Sequence, residues 1–129
     1  MKNIFILIAL SLFTLTMNAQ EKKSLEHQYE MKTYYMVFLK KGPNRNQDEA
    51  TAKKLQEQHM AHLTKMADDG KMDLAGPFMD DGDIRGICVY NVANKEEAEK
   101  LANEDPMVKA GRLTVEIHPW YAGKNSSLK

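Results

Sequence analysis

An α+β domain in the order β-α-β-β-α-β is predicted, and three observations carry it. Four apolar segments are bounded by turn residues, one long segment repeats apolar residues at spacings of three and four, and a shorter one follows an asparagine suited to cap a helix. The length of 129 residues fits one domain with one core. The 18 basic and 18 acidic side chains cancel, and no Lys/Arg cluster follows one face. No nucleic-acid partner is expected, because such binding starts from a basic surface.

The fold begins after a leader. Lys2 gives a positive start, Ile4 to Thr16 form an apolar run short for a bilayer-spanning helix, and Ala19 offers a small residue at a cut. Residues 1–19 are therefore read as a secretory signal peptide. The mature chain would be exported, periplasmic or secreted, with no membrane segment left; an uncleaved anchor is the alternative. Its only thiol, Cys88, cannot form an internal disulfide, so stability must come from packing. Residues 20–32 are highly charged and without apolar period, as expected of a loose arm.

The domain proper is expected over residues 33–121, with 122–129 as a flexible tail. From Thr33 a β-branched and aromatic run leads to the turn residues Gly42, Pro43 and Asn44. Tyr34, Met36 and Phe38 alternate with Tyr35, Val37 and Leu39, so both faces of this first strand are apolar. A helix follows from about Glu49 to Asp69: Ala52, Leu55, His59, Leu63, Met66 and Ala67 form its stripe, and Gly70 stops it.

Lys71 to Met79 read as a second strand, placed at an edge or bulge by Gly76-Pro77. Asp80 to Asp83 make a hairpin turn, and Ile84 to Val92 return as the third strand. Asn94 caps a second helix with Glu96 and Glu97 in its first turn, ending before Pro106. In the last strand Leu113, Val115 and Ile117 face one side while Thr114, Glu116 and His118 face the other.

This order is the split pattern of a ferredoxin-like fold, four strands with both helices on one face. The first strand is nevertheless apolar on both faces. A homodimer packing sheet on sheet would cover the second one.

Chemistry concentrates in "QHMAHLTKMADDG", Gln58 to Gly70. His59 falls in the middle of the helix's apolar stripe and His62 at its margin. A buried imidazole without partners costs roughly 1–3 kcal/mol, so His59 calls for a partner, and a carboxylate would be the strongest. With one, it becomes a proton shuttle near neutral pH. The plain alternative is a packed structural histidine. A metal site is not expected, since only the distant Glu116 or His118 could join the pair.

The string "HMAHLTKMADDGKMDLAGPF" and the later "RGICVYNVANKEEAEKLANEDPMVKAGRLTVEIHPW" resemble the YCII-related (YciI-like) family. The resemblance runs from about Thr33 to Trp120. It implies a ferredoxin-like dimer forming an α+β barrel, with a His and an Asp as the active-site pair. By position these match His59 and Asp105. One branch of the family removes chloride from a chlorinated aromatic hydroxyquinone, although most members have no assigned function.

Asp105 has a plain structural role open to it as well, hydrogen bonding the amides of Met107 or Val108 at a turn, and that role is compatible with a second one toward His59. Arg85 could attract an anionic or phenolic substrate or pair with Asp81 or Asp83. Tyr35 could donate to a ligand or belong to the core, and Phe78 and Trp120 could wall a pocket or a dimer contact. Cys88 reads as a buried inert thiol. Taken together, the expected function is exported acid–base chemistry by His59 and Asp105 on a small cyclic or aromatic molecule, an elimination or isomerisation without cofactor. His62, Arg85, Tyr35 and Phe78 are the candidate substrate contacts. The alternative is a non-catalytic module that binds a small ligand.

Overall fold

The computed structural model describes residues 29–129. The leader and the arm up to residue 28 lie outside the described residues. Strands β1 (Met31–Lys41), β2 (Met72–Pro77), β3 (Ile84–Tyr90) and β4 (Leu113–Gly123) alternate with helices α1 (Glu49–Asp68), α2 (Lys95–Asn103) and α3 (Pro106–Lys109). The sheet order is β2-β3-β1-β4, and β3 pairs antiparallel with both neighbours. This is the ferredoxin-like arrangement. The one element absent from the sequence-based expectation is α3, a single turn between α2 and β4.

Local chemistry accounts for the boundaries. Asp48 caps α1 by accepting the Thr51 amide at 2.7 Å, and Asn94 caps α2 by accepting that of Glu97 at 2.8 Å. At the far end of α1, Gly70 sits at φ 69 while Gly70 and Lys71 donate back to Ala67 and Met66. That is a glycine-closed helix end. β2 is an edge strand, as its Gly76-Pro77 pair predicted.

The core lies between the sheet and the helices. Val37 and Leu39 of β1, Cys88 and Tyr90 of β3, Met66 of α1, Ala98 and Ala102 of α2 and Met107 of α3 pack together there. Leu113 and Ile117 of β4 join them, and Val115 packs alongside. Met36 and Phe38 alternate with these core residues and so point to the other face, which carries no helix among the described residues. There Phe38, Ile84, His118 and Trp120 border a hollow of about 480 Å3.

Thr33–Trp120 form one compact unit. The described residues outside it belong to a small second unit, in which Lys124 meets Glu30 through both its backbone amide at 2.7 Å and its ammonium at 2.9 Å. No described helix is long and apolar enough to cross a membrane.

Candidate active site

His59 occupies the middle of α1, on the stripe that also carries Leu55, Leu63 and Met66, and is 7% exposed. Its partner comes from the turn the sequence left without structure. Asp105, 2% exposed, is the N-cap of α3, with Oδ1 accepting the Met107 amide at 2.9 Å. Its Oδ2 accepts from Nδ1–H of His59 at 2.6 Å. The capping role and the histidine partnership, read as compatible in the sequence, are both present, one on each carboxylate oxygen.

The consequence is a fixed imidazole. A buried carboxylate needs charge-assisted partners, and the one that Nδ1 supplies holds the proton on that nitrogen. Nε2 has no partner among the described residues. It carries the free lone pair, and His59 lines a cavity of about 730 Å3. That size suits a small organic molecule.

The cavity lies between α1 and the edge strand β2. Leu63, Ala67, Met72 and Met107 give apolar wall, and Gln56 and Thr64 give neutral polar groups. Cys88 also lines it, yet burial, followed by the charge of Asp105, pushes its thiol up to about 12. A thiolate nucleophile is thereby disfavoured. Burial likewise raises the Tyr90 phenol, with smaller contributions from Cys88 and Asp105.

Arg85 enters the cavity through a break in the ladder. Leu39 pairs with Gly86 but Lys40 with Ile84, leaving Arg85 as the extra residue of a bulge. Ile84 therefore faces the helix-free side while Arg85 lines the cavity. Its guanidinium also donates to Asp81 Oδ1 at 3.2 Å, so the ion-pair reading and the cavity reading hold together.

Two further arginines line the same space, and the sequence reading missed both: Arg45 and Arg112. They come from loops locked to each other. Gly42 and Asn44 donate to the carbonyls of Arg112 and Gly111 at 3.0 and 2.9 Å. Gly111, at φ 71, closes α3 as Gly70 closes α1, and a Cβ there would stand 2.7 Å from Asn44 Nδ2. A Cβ on Gly42 would collide with the Gly111 carbonyl. Arg45 Nη1 then donates to the Arg112 carbonyl at 2.7 Å, and Arg112 Nη1 to Gln47 Oε1 at 3.0 Å. Partial desolvation, then the charges of Arg112 and Arg85, lower the Arg45 guanidinium from its usual range. The signal in the sequence was an arginine just beyond each glycine of the interlocked turns.

The remaining candidates lie elsewhere. His62 is half-buried on a neighbouring edge of α1, does not line the cavity, and its Nε2 is buried without a hydrogen-bond partner among the described residues. Three residues advance a helix by about 300°, which turns His62 off the stripe of His59. Tyr35 pairs across β1 and β3 with Tyr90 and packs against the core, four residues down the strand from Leu39, roughly 13 Å at strand rise. Phe78 lies past the end of β2, 43% exposed and outside the lining. No group of three metal-capable side chains occurs among the described residues.

The YCII-related domain family matches residues 33–121. No curated protein matches the chain. Among solved structures, the 5-chloro-2-hydroxyhydroquinone dehydrochlorinase of Burkholderia phenoliruptrix AC1100, in complex with 2,5-dihydroxybenzoquinone, is similar at a TM-score of 0.55 and 20% identity. The likeness covers 73% of this chain and 99% of that one, and it shows a shared fold.

Proposed function

This chain belongs to the YCII-related domain family, and from that premise we propose that it is an acid–base enzyme acting on a small cyclic or aromatic molecule. One observation carries the reading: the 2.6 Å contact of His59 Nδ1 with a buried Asp105, on a histidine whose ring also lines the cavity. Nε2 takes a proton from the substrate and Asp105 stabilises the imidazolium. In an isomerisation the proton is returned to another substrate atom. In an elimination the C–H electron pair becomes a new double bond, a leaving group such as chloride departs with its own bonding pair, and the proton passes to solvent. An elimination or an isomerisation needs no more than this. The dehydrochlorination catalysed by the structural neighbour is a reaction of that kind.

A purely ligand-binding module is the second reading, supported by the size of the cavity and its apolar walls. His59→Asn separates the two, with a ligand first found by thermal-shift screening. An enzyme keeps its ligand and loses turnover, because binding groups survive while the base does not. If the wild-type protein never turns the ligand over, the binding reading stands instead.

The reading includes export after cleavage near Ala19 and a homodimer. Two copies meet over the helix-free face, where Ile84 and Trp120 are 37% and 44% exposed. Ile84→Glu should convert a sedimenting dimer into a monomer.

A further inference from the structure

We propose that the substrate carries an anionic oxygen, a carboxylate or a ring oxyanion, and that Arg45, Arg85 and Arg112 bind it in the cavity lined by His59. The inference rests on the acid–base reading for the place of the reacting atom, and it adds the chemical class of the substrate.

The cations are built in, and among the described residues one exposed carboxylate is their only ion-pair partner. No carboxylate lies within ion-pair distance of Arg45 or Arg112 among the described residues, and Arg85 has only Asp81, whose side chain is 96% exposed. Asp73 is the one acidic residue on the cavity wall among the described residues; its carboxylate accepts from the Asn91 amide at 3.2 Å and pairs with none of the three arginines. Partial desolvation first, and then the like charges of Arg112 and Arg85, lower the Arg45 guanidinium, so part of that shift is repulsion among the three arginines. An anion entering the cavity relieves that repulsion.

Their orientation is also prepared before binding. The Gly42–Gly111 contact, the Arg45 bond to the Arg112 carbonyl and the Arg112 bond to Gln47 hold two guanidinium groups in place, and the bulge turns the third inward. Planar guanidinium forks match carboxylate and phenolate oxygens, and pre-orientation lowers the entropy lost on binding. During proton removal by His59 the same charges would hold the negative charge that grows on a substrate oxygen.

Two pairs of probes test the class and its source: benzoate against benzamide, and 4-nitrophenolate against 4-nitroanisole, by titration calorimetry with the full chain. We expect at least one anion to bind more tightly than its neutral counterpart, with added salt weakening it. Arg112→Gln and Arg45→Gln should each weaken that anion by about tenfold or more, as expected for loss of a charge-assisted bond. Arg45 is exposed, so its variant remains informative should Arg112→Gln fold poorly. Preference for benzoate identifies a carboxylate substrate; preference for nitrophenolate identifies a ring oxyanion. Neutral probes binding as well as both anions, or arginine variants that leave the preference intact, would overturn the proposal. His59→Asn should retain the preference. If it does while no turnover is ever found, the acid–base reading falls and the anion site stands.

Discussion

Asp105 divides its carboxylate between His59 and Met107, Oδ2 accepting from the imidazole at 2.6 Å and Oδ1 from the backbone amide at 2.9 Å. One side chain thus starts α3 and orients the imidazole on α1. Removing it should harm both. Asp105→Ala leaves a buried imidazole without its partner and should cost about 3–5 kcal/mol in urea unfolding. Asp105→Asn should cost less, because its amide oxygen can still accept the Met107 amide. In that variant nitrogen NMR should show His59 shifting from one tautomer to a mixture.

Glycine at 111 carries a second prediction. Gly70 and Gly111 have φ values of 69 and 71, but a Cβ at Gly70 meets nothing within 4 Å whereas one at Gly111 meets Asn44. Gly70→Ala should lose about 1–2 kcal/mol, the cost of a left-handed backbone for an L-residue. Gly111→Ala should lose more, and the excess in urea unfolding measures the contact that places Arg45 and Arg112.

Cys88 should be chemically silent. With its thiol pushed up to about 12 by burial, iodoacetamide at mildly alkaline pH should leave the folded protein unmodified and label it once guanidinium unfolds it. Asp105→Asn should not change this, since burial is the larger cause. Labelling of the native chain at the rate of a free thiol would contradict the buried placement.

Acid should weaken the start of α1. The Thr51 amide, donating to Asp48, holds that carboxyl below its ordinary range, so its contribution is full above that range and fades as pH falls through the lowered value. The melting temperature of Asp48→Ala should therefore lie furthest below wild type near neutral pH. The gap should narrow as the solution is acidified.

Much of this fold was legible because periodicity and punctuation agree. Both long helices begin at cap residues that side-chain chemistry requires, and the alternation of β4 sorts its buried residues correctly. His59 was legible as a polar residue on an apolar stripe. Three things were not. A four-residue helix has too few turns to show a period, so α3 was invisible although its cap was noticed. The bulge that re-aims Arg85 depends on pairing with β1, which no local pattern records. The arginines at 45 and 112 are brought together by hydrogen bonds between loops 67 residues apart in the chain.

β2, which walls the cavity, is also the rim of the sheet. Phe78 sends its amide inward to the Arg85 carbonyl at 2.9 Å, so by alternation the nitrogen of Pro77 faces outward. A foreign strand approaching that rim would look for a donor at Pro77 and find a ring. Together with the irregular register between Met72 and Leu74, this makes the exposed rim a poor template for strand-by-strand assembly. The protein can leave the wall of its cavity open to small molecules while denying the same margin to aggregating chains.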